Sequence, residues 1–285
     1  MTAGGAQHQF VDLHMHSTAS DGSRSPEDVV AAAASTGLFA IALTDHDTIA
    51  GIQAARDAGE RAGLRVITGV ELSAVENDVE THVLGLHLSD LSELERQLEG
   101  LRGMRVARAT AMVARLNTLG VSITMEDVLQ HAAGGAVGRP HVARAIIAKG
   151  FAADFRQAFE RYLGNGRAAY VAKDKLSLGD AIAIIHRAGG IAILAHPGSL
   201  GTRERVAALA HIGLDGLEVL HPSHSWDDSQ RLDALASEFQ LVRSGGSDWH
   251  GGTDGSRTIG MMRVPAQWLV DQDERVAARN SRRVA

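Results

Sequence analysis

Asp12-Leu13-His14-Met15-His16-Ser17-Thr18-Ala19-Ser20-Asp21-Gly22-Ser23 follows the apolar lead of Phe10 and Val11. The run Phe10–His14 predicts a strand, and residues two apart on a strand point to one face. His14 and His16 can therefore ligate one ion together, with the Asp21 carboxylate a short loop further on. Reactive groups of α/β folds collect at the carboxyl ends of strands, so this stretch marks the working end of such a fold.

The pattern repeats outward from there. Helix is predicted at Ser25–Thr36, strand at Ala40–Leu43, helix at Thr48–Ala62 and strand at Val66–Leu72, with Thr81–Leu88 a further strand able to pair back as a hairpin. From Leu91 to Leu163 only helices are predicted, at Leu91–Leu119, Met125–His131, Pro140–Ala148 and Phe151–Leu163, separated by glycine breaks. Phe151, Phe155, Phe159 and Tyr162 recur at helical spacing and are expected in the core of this block. The alternation then resumes: helix Ser177–Ala188, strand Ile191–Ala195, helix Thr202–His211, strand Gly216–Leu220, helix Asp227–Phe239 and strand Leu241–Ser244. Alternating strands and helices imply a largely parallel sheet, closed or nearly closed into a barrel, with the helical block as an insertion. We expect the barrel over residues 10–91 and 176–270, the insertion over 92–175, a loose leader at Met1–Gln9 and a frayed polar tail at Asp273–Ala285.

Composition narrows the chemistry. The 285 residues include no Cys, which excludes disulfides, thiolate catalysis and sulfur-ligated metals, and leaves any ion to the 14 His and the carboxylates. No apolar run has the length of a membrane span and the leader has no signal-peptide pattern, so the expected setting is the cytoplasm. The net charge of −6 argues against coating duplex nucleic acid. That charge is uneven, about +5 between Ser92 and Lys175 and about −11 elsewhere.

Nearly every predicted strand end carries a ligand-type residue: Thr44-Asp45-His46-Asp47, Gly69-Val70-Glu71, Thr81-His82, Ala195-His196-Pro197-Gly198, Glu218 with His221 and His224, and Gly246-Ser247-Asp248-Trp249-His250. Together, DLHMHSTASDGS, LTDHDT, GVELSA, HVLGLHL, LAHPG and GGSDWHG resemble, in order, the motifs of the PHP (polymerase and histidinol phosphatase) family of metal-dependent phosphoesterases. The resemblance implies a distorted (β/α)7 barrel, TIM-like, with an all-helical insertion. It also implies one ion held by His14, His16, Glu71 and Asp248, a second shared through Glu71 with His82 and His196, and a third held by Asp21, His46 and His250. Two or three divalent cations are expected, manganese first, with zinc and iron as alternatives.

Such ions activate water and clamp phosphoryl oxygens, so no protein nucleophile is needed. The expected reaction is hydrolysis of phosphate esters by a metal-bridging hydroxide, on a small nucleotide-like substrate such as a 3′,5′-bisphosphonucleotide or the 5′ end of short RNA. Asp248 is assigned to the catalytic centre. His224 is taken as the general acid ahead of His221. Arg139, His141, Tyr170 and Lys173 are similar to insertion residues that line the substrate pocket of nucleotide-cleaving relatives. One departure stands out: such relatives often carry Arg directly after AHPG, where this chain has Ser199 and Leu200. Arg203 and Arg205 are the nearby candidates to replace it. The alternatives are a phosphatase of a non-nucleotide metabolite such as histidinol phosphate, a C–N amidohydrolase, and a metal-stabilised binding module.

Overall fold

The computed structural model describes residues 10–76, 79–132, 137–172, 176–252 and 255–284. The leader Met1–Gln9 and Lys173 lie outside the described residues. The first half of the barrel runs β1 (Phe10–Asp12), α1 (Pro26–Ala34), β2 (Ala40–Leu43), α2 (Ile52–Ala62), β3 (Arg65–Glu76) and β4 (Val79–Leu86). The insertion follows as α3 (Leu91–Thr118), α4 (Met125–Ala132), α5 (Arg139–Ala148) and α6 (Phe155–Ala158), the last continuing into a π-helical turn at Phe159–Leu163. The barrel resumes with α7 (Leu178–Arg187), β5 (Ile191–Leu194), α8 (Arg203–His211), β6 (Gly216–Leu220), α9 (Trp226–Glu238) and β7 (Val242–Gly245), and ends with β8 (Val264–Pro265) and α10 (Ala266–Val284). No helix among the described residues is long and apolar enough to cross a membrane.

The sheet order is β7-β6-β5-β4-β3-β2-β1-β8. Pairings are parallel except where β4 runs against β3 and β5, and where β8 runs against β1. Because β4 is reversed, its early residue His82 lies opposite Ser73 and so sits at the working end of the barrel. The chain beyond β7 closes onto the chain beyond β1: Leu13 N–H donates to Gly245 O at 3.0 Å, Asp248 N–H to His14 O at 2.8 Å and His16 N–H to Trp249 O at 2.9 Å. The Asp12 carboxylate, buried at this seam, accepts the backbone N–H groups of Ser247 at 2.9 Å and Gly260 at 2.8 Å. Burial raises its pKa, against those bonds.

Alternation along the strands sorts their side chains. Ala40 and Ala42 join Ile67, Leu84, Leu86, Ile191 and Ile193 in one buried cluster, while Ile41 and Leu43 pack with α1 and α2. Val70, Leu72 and Ala74 of β3 pack outward with α7, so Glu71 and Ser73 take the opposite face. The barrel is thus apolar in its lower layers and polar at its open end.

Two expectations change. Asp273–Ala285 is not a frayed tail, because its described part belongs to α10, where Leu269 and Gln272 are fully buried and Arg279 pairs with Asp215 at 3.0 Å. Gln272 donates to Arg243 O at 2.7 Å, so the buried face of this helix carries polar residues that periodicity in apolar residues does not detect. In the insertion, Phe151, Phe159 and Tyr162 pack against the local core, whereas Phe155 is 43% exposed, with the Arg144 guanidinium 5.8 Å from its ring centre. Helix α3 serves both parts: Leu94 and Leu98 pack in the barrel cluster with α7, and Ala109, Met112 and Leu116 in the cluster of the insertion.

Closure of the barrel depends on close approach at Gly246, where a β-carbon would stand 2.5 Å from both N and Cβ of His14. Gly246→Ala is expected to lower stability by about 1–3 kcal/mol by forcing the seam apart. Gly100→Ala on α3, where a β-carbon meets open space, should instead raise it by roughly 0.5–1 kcal/mol. Urea unfolding of both variants checks this, and shifts of the same sign would contradict it.

Candidate metal centre

Backbone ladders aim the ligand-type side chains before any of them interact. His14 and His16 lie on the extension of β1, held on one side by the seam bonds and on the other by Thr44 N–H to Met15 O at 2.9 Å. Both rings are fully buried. Glu71 sits within β3, bridged to His46, and His196 lies two residues past the end of β5. Asp47, His196 and Asp248 have φ of +48°, +30° and +49°, left-handed conformations that non-glycine residues adopt only when their surroundings enforce them.

The Glu71 carboxylate is 1% exposed and divides its two oxygens. Oε1 lies 2.8 Å from His82 Nδ1 and 3.0 Å from His196 Nε2. Oε2 lies 3.3 Å from His14 Nε2, 3.2 Å from His16 Nε2 and 3.2 Å from His46 Nδ1. Asp248 Oδ1 stands 3.5 Å from His14 Nε2 and 3.2 Å from His16 Nε2. Asp21 gathers His250 Nε2 at 3.3 Å, with His46 Nε2 and His16 Nδ1 each at 3.9 Å. All nine residues expected as ligands are therefore brought together, with His46 facing both Glu71 and Asp21, and His16 facing Glu71, Asp248 and Asp21.

The nitrogen and oxygen donors suit a divalent cation of the manganese, iron or zinc type. Several fall into groups whose ligand atoms lie within 4.8 Å of one another: His16, Asp21, His46 and His250; His14, His16 and Glu71; His46, Glu71 and His82; and His14, His221 and Asp248. Both ring nitrogens of His16, and the Nδ1 atoms of His46 and His82, are buried with no hydrogen-bond partner. Buried polar atoms are ordinarily paired, and unpaired imidazole nitrogens converging on carboxylates are what a cation would satisfy. The residues fit the group.

Charge in the cluster is strongly perturbed. Burial works against a charge on His16, but Asp248 and Glu71 outweigh it and push its pKa up to about 10. Glu71 likewise outweighs burial at His82, raising it to about 9, whereas burial dominates at His46 and lowers it to about 3. Glu71, Asp21 and Asp248 are held well below the usual carboxylate range despite burial, because histidine rings surround them.

Sequence reading assigns no role to several supporting residues. Glu218, fully buried, accepts from His14 Nδ1 at 2.9 Å and from the His196 backbone N–H at 2.7 Å, orienting one ring and fixing the strained backbone of the other. Its pKa falls to about 2, the His14 interaction outweighing burial. Only its place at a strand end, in step with Glu71, signals it. Asp45 ties the first two loops together, accepting from Ser17 N–H at 2.7 Å and Ser20 Oγ–H at 2.6 Å. Arg257, far along the chain in a glycine-rich loop, pairs with the Asp248 carboxylate and donates to the Asp248 carbonyl at 2.9 Å.

The two histidines after β6 differ in placement. His224 Nδ1–H donates to Val219 O at 3.0 Å and its Nε2 accepts Gly198 N–H at 3.1 Å, so both nitrogens are engaged by backbone. His221 instead lies in the cluster, with Nε2 3.3 Å from Asp248 Oδ2 and Nδ1 accepting Ser223 N–H at 3.1 Å. Of the insertion residues, Arg139 pairs with Glu80 at 2.9 Å, and its guanidinium carbon lies 5.9 Å from the ring centres of both Phe159 and Tyr170. His141 Nε2 is buried and unpaired, and burial lowers its pKa to about 4. Arg139 and His141 line a cavity of about 160 Å³ beside the cluster, together with Arg105, Arg108, Asp21 and His82. Arg203 and Arg205 do not reach it: Arg203 pairs with Glu238, and Arg205 with Glu76 at 2.6 Å.

The PHP domain profile matches residues 12–188. The chain is 38% identical over 245 residues to a 5′-3′ exoribonuclease of Haemophilus influenzae, covering 84% of this chain and 89% of that protein. It is 36% identical to phosphoribosyl 1,2-cyclic phosphate 1,2-diphosphodiesterase of Eggerthella lenta, covering 90% and 99%, and 34% identical to 3′,5′-nucleoside bisphosphate phosphatase of Chromobacterium violaceum, covering 88% and 90%. A solved structure from Bifidobacterium adolescentis, provisionally described as a metal-dependent phosphoesterase, superposes with a TM-score of 0.85 at 32% identity, covering 93% of this chain and 95% of that one.

Ligating imidazole must be neutral, so a cation entering at pH 7 has to displace the protons that His16 and His82 carry there. Affinity for Mn²⁺ should rise with pH toward the range of about 9 to 10, where those protons are lost in its absence. Calorimetric titration in buffers of different ionisation enthalpy is expected to show net proton release at pH 7. Binding without release would contradict the assignment.

Proposed function

The chain belongs to the PHP domain family, and from that premise we propose that it hydrolyses phosphate esters of a small nucleotide-like molecule in the cytoplasm, a 3′,5′-bisphosphonucleotide or the 5′ end of short RNA. The observation that carries the reading is Glu71, whose two oxygens face two separate histidine sets with unpaired ring nitrogens around them. The activities that name the three relatives are all phosphoester cleavages, on RNA, on a phosphoribosyl cyclic phosphate and on a nucleoside bisphosphate.

Divalent ions at His14, His16, Asp21, His46, Glu71, His82, His196, Asp248 and His250, manganese first, would supply Lewis acidity toward phosphoryl oxygens and water deprotonated near neutral pH. The protein's own groups then bind and orient. The mouth above the cluster, about 250 Å³, is lined by His196, His221, Asp248, His250 and Arg257 among others. Arg257 is the one guanidinium lining it among the described residues, and we assign it to the reacting phosphate, the role left open by Ser199. His221 turns Nε2 toward Asp248 and the mouth, with Nδ1 2.7 Å from Ser223 Oγ, and is our choice, in place of His224, to pass a proton as imidazolium to the leaving oxygen and end as neutral imidazole. Arg108 has a buried, unpaired guanidinium nitrogen, and with Arg139 and His141 it offers the neighbouring cavity to the remainder of an anionic substrate.

Protein reconstituted with Mn²⁺ should release inorganic phosphate from a nucleoside 3′,5′-bisphosphate or mononucleotides from short 5′-phosphorylated RNA. Asp248→Asn should lower turnover by about two orders of magnitude or more. Arg257→Ala should act mainly on KM, raising it roughly tenfold or more, as expected for a lost charged hydrogen bond. Inactivity of the metal-loaded protein on phosphate esters, with turnover of amides, would favour the amidohydrolase alternative.

A further inference from the structure

Asp21 stands on the loop after β1, and His46 on the loop after β2, where a single bridge to Glu71 is its tie to β3. Each of these two loops receives one arginine from the insertion. Arg105 of α3 bonds the Asp47 carboxylate at 2.5 Å through Nε and Ser73 Oγ at 2.8 Å through its terminal nitrogen. Asp47 adjoins His46, is 1% exposed, and is left-handed at φ +48°, with its second oxygen accepting Ser73 N–H at 2.8 Å. The Arg105 side chain is 12% exposed, so this ion pair is desolvated and geometrically fixed. Arg144 of α5 donates to the carbonyl of Asp21 at 2.9 Å, while its guanidinium lies over Phe155.

We propose that Arg105 and Arg144 are positioning residues through which the docked insertion assembles the ion group of Asp21, His46 and His250. The groups centred on Glu71 draw their ligands chiefly from the strand ladders and seam of the barrel. The third group draws two of its three carboxylate and imidazole donors from loops whose positions the insertion helps to set. Occupancy of that group and docking of the insertion are therefore linked, and linkage is reciprocal. An ion there holds the insertion over the cavity, and whatever fills the cavity tightens the ion.

The proposal rests on reading the cluster as an ion centre, and the test separates the two. Mn²⁺ is titrated into wild type, Arg144→Ala, Arg105→Lys, Arg105→Ala and Asp21→Asn, with free Mn²⁺ followed by electron paramagnetic resonance. Wild type is expected to bind in more than one step, and Asp21→Asn to weaken or lose the step that belongs to the third group. Arg144→Ala and Arg105→Ala should weaken that same step by about 10–100-fold and leave the tighter steps unchanged, as supporting residues of metal sites do. Arg105→Lys should recover part of the loss. Arg144→Ala removes no buried charge partner, so it tests the idea even if Arg105→Ala fails to fold. An arginine variant that titrates like wild type, or that weakens every step equally, overturns the proposal. A wild type that binds no Mn²⁺ overturns the ion-centre reading beneath it.

Discussion

A fully desolvated carboxylate is costly unless opposite charge surrounds it, and Glu71 sits at the centre of the barrel mouth with five imidazoles within 3.3 Å of its oxygens. Those rings come from the extension of β1, the loop after β2, β4 and the second residue after β5. The antiparallel course of β4, the closure of β7 onto β1 and the left-handed backbone at His196 are all needed to deliver them. The carboxylates push the pKa values of His16 and His82 up, and ring nitrogens of His16, His46 and His82 stay buried without a hydrogen-bond partner. Divalent ions held by these residues would resolve both tensions at once.

Around that centre the molecule divides its labour. Lower barrel layers of Ile67, Leu86, Ile191 and Ile193 supply apolar burial, and Asp12 and Glu218 spend buried carboxylates on closing the seam and aiming His14. The insertion brings Arg105, Arg108 and Arg139 to one cavity beside the cluster, where the local excess of positive charge in the sequence gathers. An acidic ion holder under a basic lid matches a phosphorylated substrate at both ends.

Much of this is legible from residue spacing. The His14 and His16 pair, the recurrence of ligand-type residues at strand ends and the alternation of strands with helices are local patterns, and the parallel sheet with a helical insertion follows from them. What spacing could not separate was residues whose meaning lies in contacts far along the chain. His221 and His224 look equivalent in a Pro-Ser turn, and only the bonds to Val219 and Gly198 show that His224 is engaged by backbone. Arg257 reads as a loop arginine until Asp248 is found beside it. The polar stretch Asp273–Ala285 reads as a tail because the helix it continues is held by polar residues, Gln272 just before it and Arg279 within it, whose partners Arg243 and Asp215 belong to distant elements. Ser199, where nucleotide-cleaving relatives often carry Arg, raised a question about the phosphate clamp that the placements of Arg203 and Arg205 sharpen, since both are committed elsewhere.

Under the proposed function, the two oxygens of Glu71 would serve two different ions. Anomalous diffraction at the manganese edge from crystals of Mn²⁺-reconstituted protein tests it directly. The account predicts separate peaks on the two sides of Glu71, one beside His82 and His196 and one beside His14, His16 and Asp248. A single peak, or none with Glu71 still paired to protonated histidines at full manganese loading, would contradict it.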